Sequence, residues 1–215
     1  MLSSGGTIRH QGDKPEGDGV TGPFTRADLD EVAALVVSSW GSGVDRDWTV
    51  PAGTLSWSCA KTADHTVDAV LAVAIFLASR KQDGYPDWGW GEFSMGADPR
   101  PDDLVEALGT VTRILSAVIA AAEPGAGAVI WRRPRVVARP AADFAARGAL
   151  ELILHGHDVC AGLGVEFEPP AALSLRLSDH TRDWPHWTNP GWSAPRATGD
   201  PWSDLLMGAG RRRTR

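Results

Sequence analysis

The stretch Glu151–Gly164, ELILHGHDVCAGLG, sets a glutamate, two histidines and an aspartate among leucines. At about 100° per residue, Glu151, His155 and Asp158 share a helical sector of about 60°, with Arg147 and Phe144 close to the same stripe. His157 points to the other side and reads as structural or exposed. Two readings are open for the shared stripe. One is the solvent face of an amphipathic helix. The other is one wall of a metal site. Glu151 and His155, four residues apart, can reach a single ion, and a facing helix could add a third ligand. Two imidazoles and a carboxylate leave open positions on zinc, nickel or iron, as catalytic sites require.

His65 is the natural third candidate. It lies in SCAKTADHTVDAVLAVAIFLASR. Ala69, Ala72 and Phe76 continue its stripe, which is apolar further along, so His65 faces the interior near one end of its helix. A lone inward histidine is commonly a hydrogen-bonded core residue, and this reading stays beside the ligand reading.

The elements that must position these residues are mostly helical. Thr25 with Asp28 fits a capping box, and Leu29, Val32, Ala33, Val36 and Val37 recur at helical spacing, which predicts a first helix over about 25–40. Ser58 can cap a second helix reaching about Arg80. Some twenty residues without periodicity follow, long for an idle loop. PDDLVEALGTVTRILSAVIAAAE begins with proline and acids, as a third helix should. A fourth runs from about Ala141 to Ala161 and stops at Gly162 or Gly164. PGAGAVIWRRPRVVARP is a connection with room for a short extended piece. PPAALSLRLSDHTRDW suits a shorter fifth helix, and DPWSDLLMGAGR a last helical turn. The expected fold is all-α: a four-helix bundle with a long crossover between helices 2 and 3 and a short C-terminal helix or irregular tail. Residues 1–23 read as a flexible leader, 24–211 as one metal-binding domain and 212–215 as a basic tail.

Bulk properties narrow the function classes. The net charge of −6 and pI near 5.5 argue against a nucleic-acid binder. The one basic run, RRRTR, reads as a solvated tail. The leader has no apolar core of the secretory kind, and AVLAVAIFLA is about half a membrane span. The expectation is a cytoplasmic protein without membrane or nucleic-acid partners, a monomer or homodimer acting on a small molecule. Cys59 and Cys160 form no C-x-x-C pair and read as small core residues. Tyr85, Trp88, Trp90 and Phe93, in the Gly-hinged loop 83–96, could form a lid or substrate wall, or simply anchor the loop. Arg132 and Arg133 could bind a carboxylate or a cofactor's polar groups, or lie exposed. His180 and His186 could approach the site, but surface positions are the favoured reading.

WSCAKTADH resembles the segment that opens the second helix in the DinB-like bundle superfamily. ELILHGHDVCAGLG resembles the E-x-x-x-H-x-x-D segment of its mycothiol-dependent maleylpyruvate isomerase N-terminal domain family, and DPWSDLLMGAGR is similar to a common closing segment. The resemblance spans about 25–211, through short motifs only. It implies a divalent metal, usually zinc, with nickel or iron as alternatives, on His65, Glu151 and His155. Asp158 would orient a ligand, and Trp57 would pack under the helix start. Mycothiol would be the co-substrate, with Trp88, Trp90, Arg132 and Arg133 as candidate contacts to it. The implied activity is thiol transfer to, or isomerisation of, a small electrophile. The family's isomerases carry a second domain for which this chain is too short, so a single-domain thiol transferase fits the length better. The alternatives are a thiol-independent metal hydrolase or cyclase, and a non-enzymatic metal-binding stress protein.

Overall fold

A computed structural model describes residues 22–86, 91–132 and 135–213. Along them run helices α1 (Arg26–Gly41), α2 (Cys59–Ser79) and α3 (Pro101–Ala120), strands β1 (Gly127–Trp131) and β2 (Val137–Pro140), and helices α4 (Ala141–Leu163), α5 (Ala171–Thr181) and α6 (Pro201–Gly208). The leader to residue 21, with Trp88, Trp90 and Arg133, lies outside the described residues.

The helix ends follow local chemistry. Thr25 accepts from Asp28 N while the Asp28 carboxylate accepts from Thr25 N at 2.8 Å, a closed capping box. Ser58 accepts from Lys61 N and starts α2. Gly164, with φ 66°, ends α4 in the left-handed conformation that a Cβ disfavours. Of the two candidate stops, Gly164 is therefore the cap. Gly162 serves close packing: a Cβ there would lie 2.4 Å from Pro51 O and 2.5 Å from Cys59 Sγ.

Contacts along the helices give their directions. Arg26 Nη1 donates to Ser116 Oγ at 3.1 Å while Val37 lies by Gly109, so α1 and α3 are antiparallel. Leu29 lies by Gly148 and Val36 by Gly156, so α1 and α4 are parallel. Cys59 Sγ approaches Val159 O, which runs α2 against α4. The segment after α2 returns along it: Phe93 N donates to Asp68 and Met95 N to Asp64, both at 2.8 Å. Helix α3 thus starts beside the start of α2 and runs parallel to it. The expected crossover bundle is the observed one, in an up-down-down-up order.

The all-α expectation needs one addition. Val129, Ile130 and Trp131, residue types that favour extended structure, lie in β1, which pairs antiparallel with β2. Val129 N donates to Lys81 O at 2.8 Å, fastening the hairpin to the end of α2. One core joins the helices, with Trp40, Trp202, Phe24 and Phe144 fully buried. Burial of each such side chain contributes roughly 1.5–3 kcal/mol. As a whole helix, α2 is long and apolar enough to cross a membrane, which the shorter run AVLAVAIFLA did not suggest. It is packed between α3 and α4 in the bundle.

Candidate metal centre

The antiparallel crossing of α2 and α4 sets His65, early in α2, against the middle of α4. Each of His65, Glu151 and His155 offers one ligand atom, and these atoms lie within 4.8 Å of one another. The His65 and His155 rings meet edge to face at 5.3 Å. The stripe that could have been a solvent face is turned inward, because α4 is buried on almost every side.

Surrounding side chains hold Glu151 and His155 in place. Asp158 Oδ2 lies 3.0 Å from His155 Nδ1. An ionised carboxylate only accepts, so Nδ1 donates to it, and Nε2 is the ring atom turned toward Glu151. His155 Nε2 and Glu151 Oε2 are 3.6 Å apart, too far for a direct hydrogen bond. This pair faces itself without being joined, which suits a shared cation. Arg147 holds the other Glu151 oxygen at 2.5 Å, and its guanidinium lies 4.3 Å from the Trp131 ring centre.

The electrostatics favour ligating forms. Burial pushes His65 below the ordinary imidazole value, toward the neutral ring. Burial works against the Glu151 charge, but Arg147, His155, His65 and Arg211 outweigh it and hold the carboxyl below its usual range. Asp158 follows the same pattern: burial opposes its charge, and hydrogen bonds with His155 and Arg211 overcome that.

Arg211 is the residue next to this set that the sequence pattern did not single out. Its Nε lies 2.8 Å from Asp158 Oδ1 and its Nη2 2.7 Å from Oδ2, a bidentate grip. The run RRRTR is thus not simply a solvated tail. Arg212 O receives a hydrogen bond from His157 Nε2 at 3.1 Å, and Arg213 pairs with Glu168 and Asp200. A buried aspartate needs a cationic partner; that requirement, together with the closing segment's arginine, was the available signal.

A cavity of about 210 Å³ opens beside the ligand set, walled by Trp131, Leu150, Leu154, His186, Trp192 and Arg211 among others. His186 is therefore not a surface residue: it is 5% exposed, packed against Trp131 and Trp187 at 5.3 and 4.1 Å. The Trp-rich segment closes over it because aromatic burial outweighs the cost of a neutral imidazole. His180 also leaves the surface, to bond Asp143 and the backbone N of Phe24. Trp57 does not pack beneath the helix start. It is 43% exposed, with its ring 5.2 Å from that of His65.

Other candidates lie apart. Arg132 is exposed and sits over the Tyr85 ring, away from the cavity lining. Tyr85 stacks on Phe76 at 4.1 Å and donates to Ile130 O; the described parts of loop 83–96 are thus anchored. Burial pushes the thiols of Cys59 and Cys160 up to about 11 and about 12, which keeps them protonated core groups.

No protein-family model and no curated protein matches the chain. A solved structure of a mycothiol-dependent maleylpyruvate isomerase is similar, with a TM-score of 0.48 and 17% identity over 78% of this chain and 75% of that one. No residue role follows from a likeness at that level.

Proposed function

We propose that the chain is a metal-dependent enzyme that uses mycothiol, or another small thiol, in thiol transfer to or isomerisation of a small electrophile. The observation that carries this reading is the inward set of His65, Glu151 and His155 beside a cavity. Structural zinc sites are normally closed by four protein ligands, whereas three leave a place for a reactant. Zinc suits two imidazoles and a carboxylate, with nickel or iron as alternatives. A divalent ion held here would supply the Lewis acidity that ionises a thiol at neutral pH. The protein's part is positional. Asp158 orients His155 and Arg147 keeps Glu151 ionised. Mycothiol as the thiol is supported by the motif resemblance in α2 and α4. The setting we propose is cytoplasmic, with the protein as monomer or homodimer.

The test is a turnover screen of zinc-loaded protein with an activated aryl halide and with maleylpyruvate, with and without mycothiol. Turnover that needs the thiol and disappears in His155→Ala is expected. Equal turnover without thiol would contradict the reading and favour a hydrolase or cyclase.

A further inference from the structure

Arg147 and Arg211 both line the cavity beside the ligand set, but they differ in what is left for a ligand. All three nitrogens of Arg211 are engaged, Nε and Nη2 on Asp158 and Nη1 on the Ala209 carbonyl. Its side chain is 9% exposed. Arg147 makes one polar contact among the described residues, from Nη2 to Glu151 Oε1 at 2.5 Å, and its side chain is 25% exposed. Arg147 is thus the cation of this cavity that a ligand can reach.

A guanidinium carries its N–H donors in one plane, forked so that a carboxylate can take two at once. Trp131 lies against this guanidinium, 4.3 Å from ring centre to Cζ, and a ring over the face leaves the in-plane donors free. Nη2 has two hydrogens, one on each forked edge. Whichever of them meets Glu151, either the Nε/Nη2 edge or the Nη1/Nη2 edge stays complete. Asn189 is exposed and lines the same cavity, and its side-chain amide has no partner among the described residues. Leu150, Leu154 and Trp192 supply apolar wall. A space of about 210 Å³ is below the usual range for drug-sized ligands and suits a single ring.

We propose that this cavity binds a small planar monocarboxylate, of the size of an arene carboxylate, with Arg147 as its anchor and Asn189 as a second donor. One carboxylate is the complement, because a second would find Arg211 already matched by Asp158. Glu151 and His155 line the same cavity, so the bound ring lies beside the proposed metal ligands. This names a substrate class for the metal-dependent enzyme. The role as substrate rests on that reading; the binding does not.

Benzoate, its neutral isostere benzamide and the dianion isophthalate, titrated into metal-free protein by calorimetry with the Arg147 Nε–H resonance followed by NMR, test this directly. Expected is saturable benzoate binding, about tenfold or more tighter than benzamide or isophthalate, with a shift of the Arg147 resonance. Arg147→Lys keeps a cation beside Glu151 but not the planar fork, and should weaken benzoate about tenfold or more. Benzamide or isophthalate binding as tightly as benzoate, or no saturable benzoate binding, would overturn the proposal. So would a folded Arg147→Lys with unchanged affinity. Should that variant not fold, the wild-type resonance decides: no shift on adding benzoate refutes the contact. With metal absent throughout, a protein that never takes up zinc would defeat the metal reading and leave this result standing.

Discussion

Arg211 grips the Asp158 carboxylate at 2.7 and 2.8 Å, and the same carboxylate lies 3.0 Å from His155 Nδ1. A residue near the end of the described chain thereby sets the orientation of a residue in the middle of α4. The two side chains of the grip are 9% and 2% exposed, so this is a buried pair rather than a surface one.

Removing one partner should be costly for two separable reasons. Arg211→Met leaves Asp158 buried and uncompensated, a loss of about 3–5 kcal/mol. It also frees the His155 ring, which should weaken zinc binding about 10–100-fold. The double variant Arg211→Met/Asp158→Leu should recover much of the stability and none of the affinity. Denaturant melts and a chelator-competition assay read the two effects. Affinity that recovers along with stability would show that the pair only supports the fold.

Gly162 offers a test of the helix crossing that brings His65 to α4. A Cβ there would sit 2.4 Å from the Pro51 carbonyl, which is backbone and cannot move aside cheaply. Gly162→Ala should destabilise the protein by about 1–3 kcal/mol. Gly164→Ala should cost roughly 1 kcal/mol, through the left-handed cap alone. A neutral Gly162→Ala in thermal melts would contradict the close packing of α4 on the start of α2.

His186 gives the stability a pH dependence whose sign is fixed. Its pKa falls from an ordinary 6.5 to about 3 in the fold. Below about pH 6.5 the unfolded chain takes up a proton that the folded one refuses, so stability falls as pH drops toward 3. The wild type should lose up to about 1.4 kcal/mol per pH unit more than His186→Phe over that window. Parallel curves from pH 6 to pH 4 would show that the ring is not buried as described.

Much of this was legible in the sequence because it depends on short-range chemistry. The Thr25–Asp28 box, the Ser58 cap, the acidic start of α3 and the inward stripe of His65 are all set within a few residues. What was not legible depends on distant partners. Whether Glu151, His155 and Asp158 faced water or core was decided by how many elements surround α4. Arg211 reaches Asp158 across 53 positions, and no local pattern marks that pairing. His186 stands among prolines, tryptophans and charges, and nothing local decides between the surface and the site. Its burial comes from neighbouring tryptophans and from Trp131, the last contributed by a hairpin that the sequence suggested only as a short extended piece.

The most direct measurement is zinc uptake by chelator-stripped protein, read by calorimetry and elemental analysis on the wild type and on His65→Ala, Glu151→Gln and His155→Ala. The geometry of the three side chains predicts about one ion per chain in the wild type and at least a hundredfold loss of affinity in each variant that remains folded. Wild-type protein that takes up no zinc, nickel or iron at neutral pH, or variants that bind as well as the wild type, would contradict it.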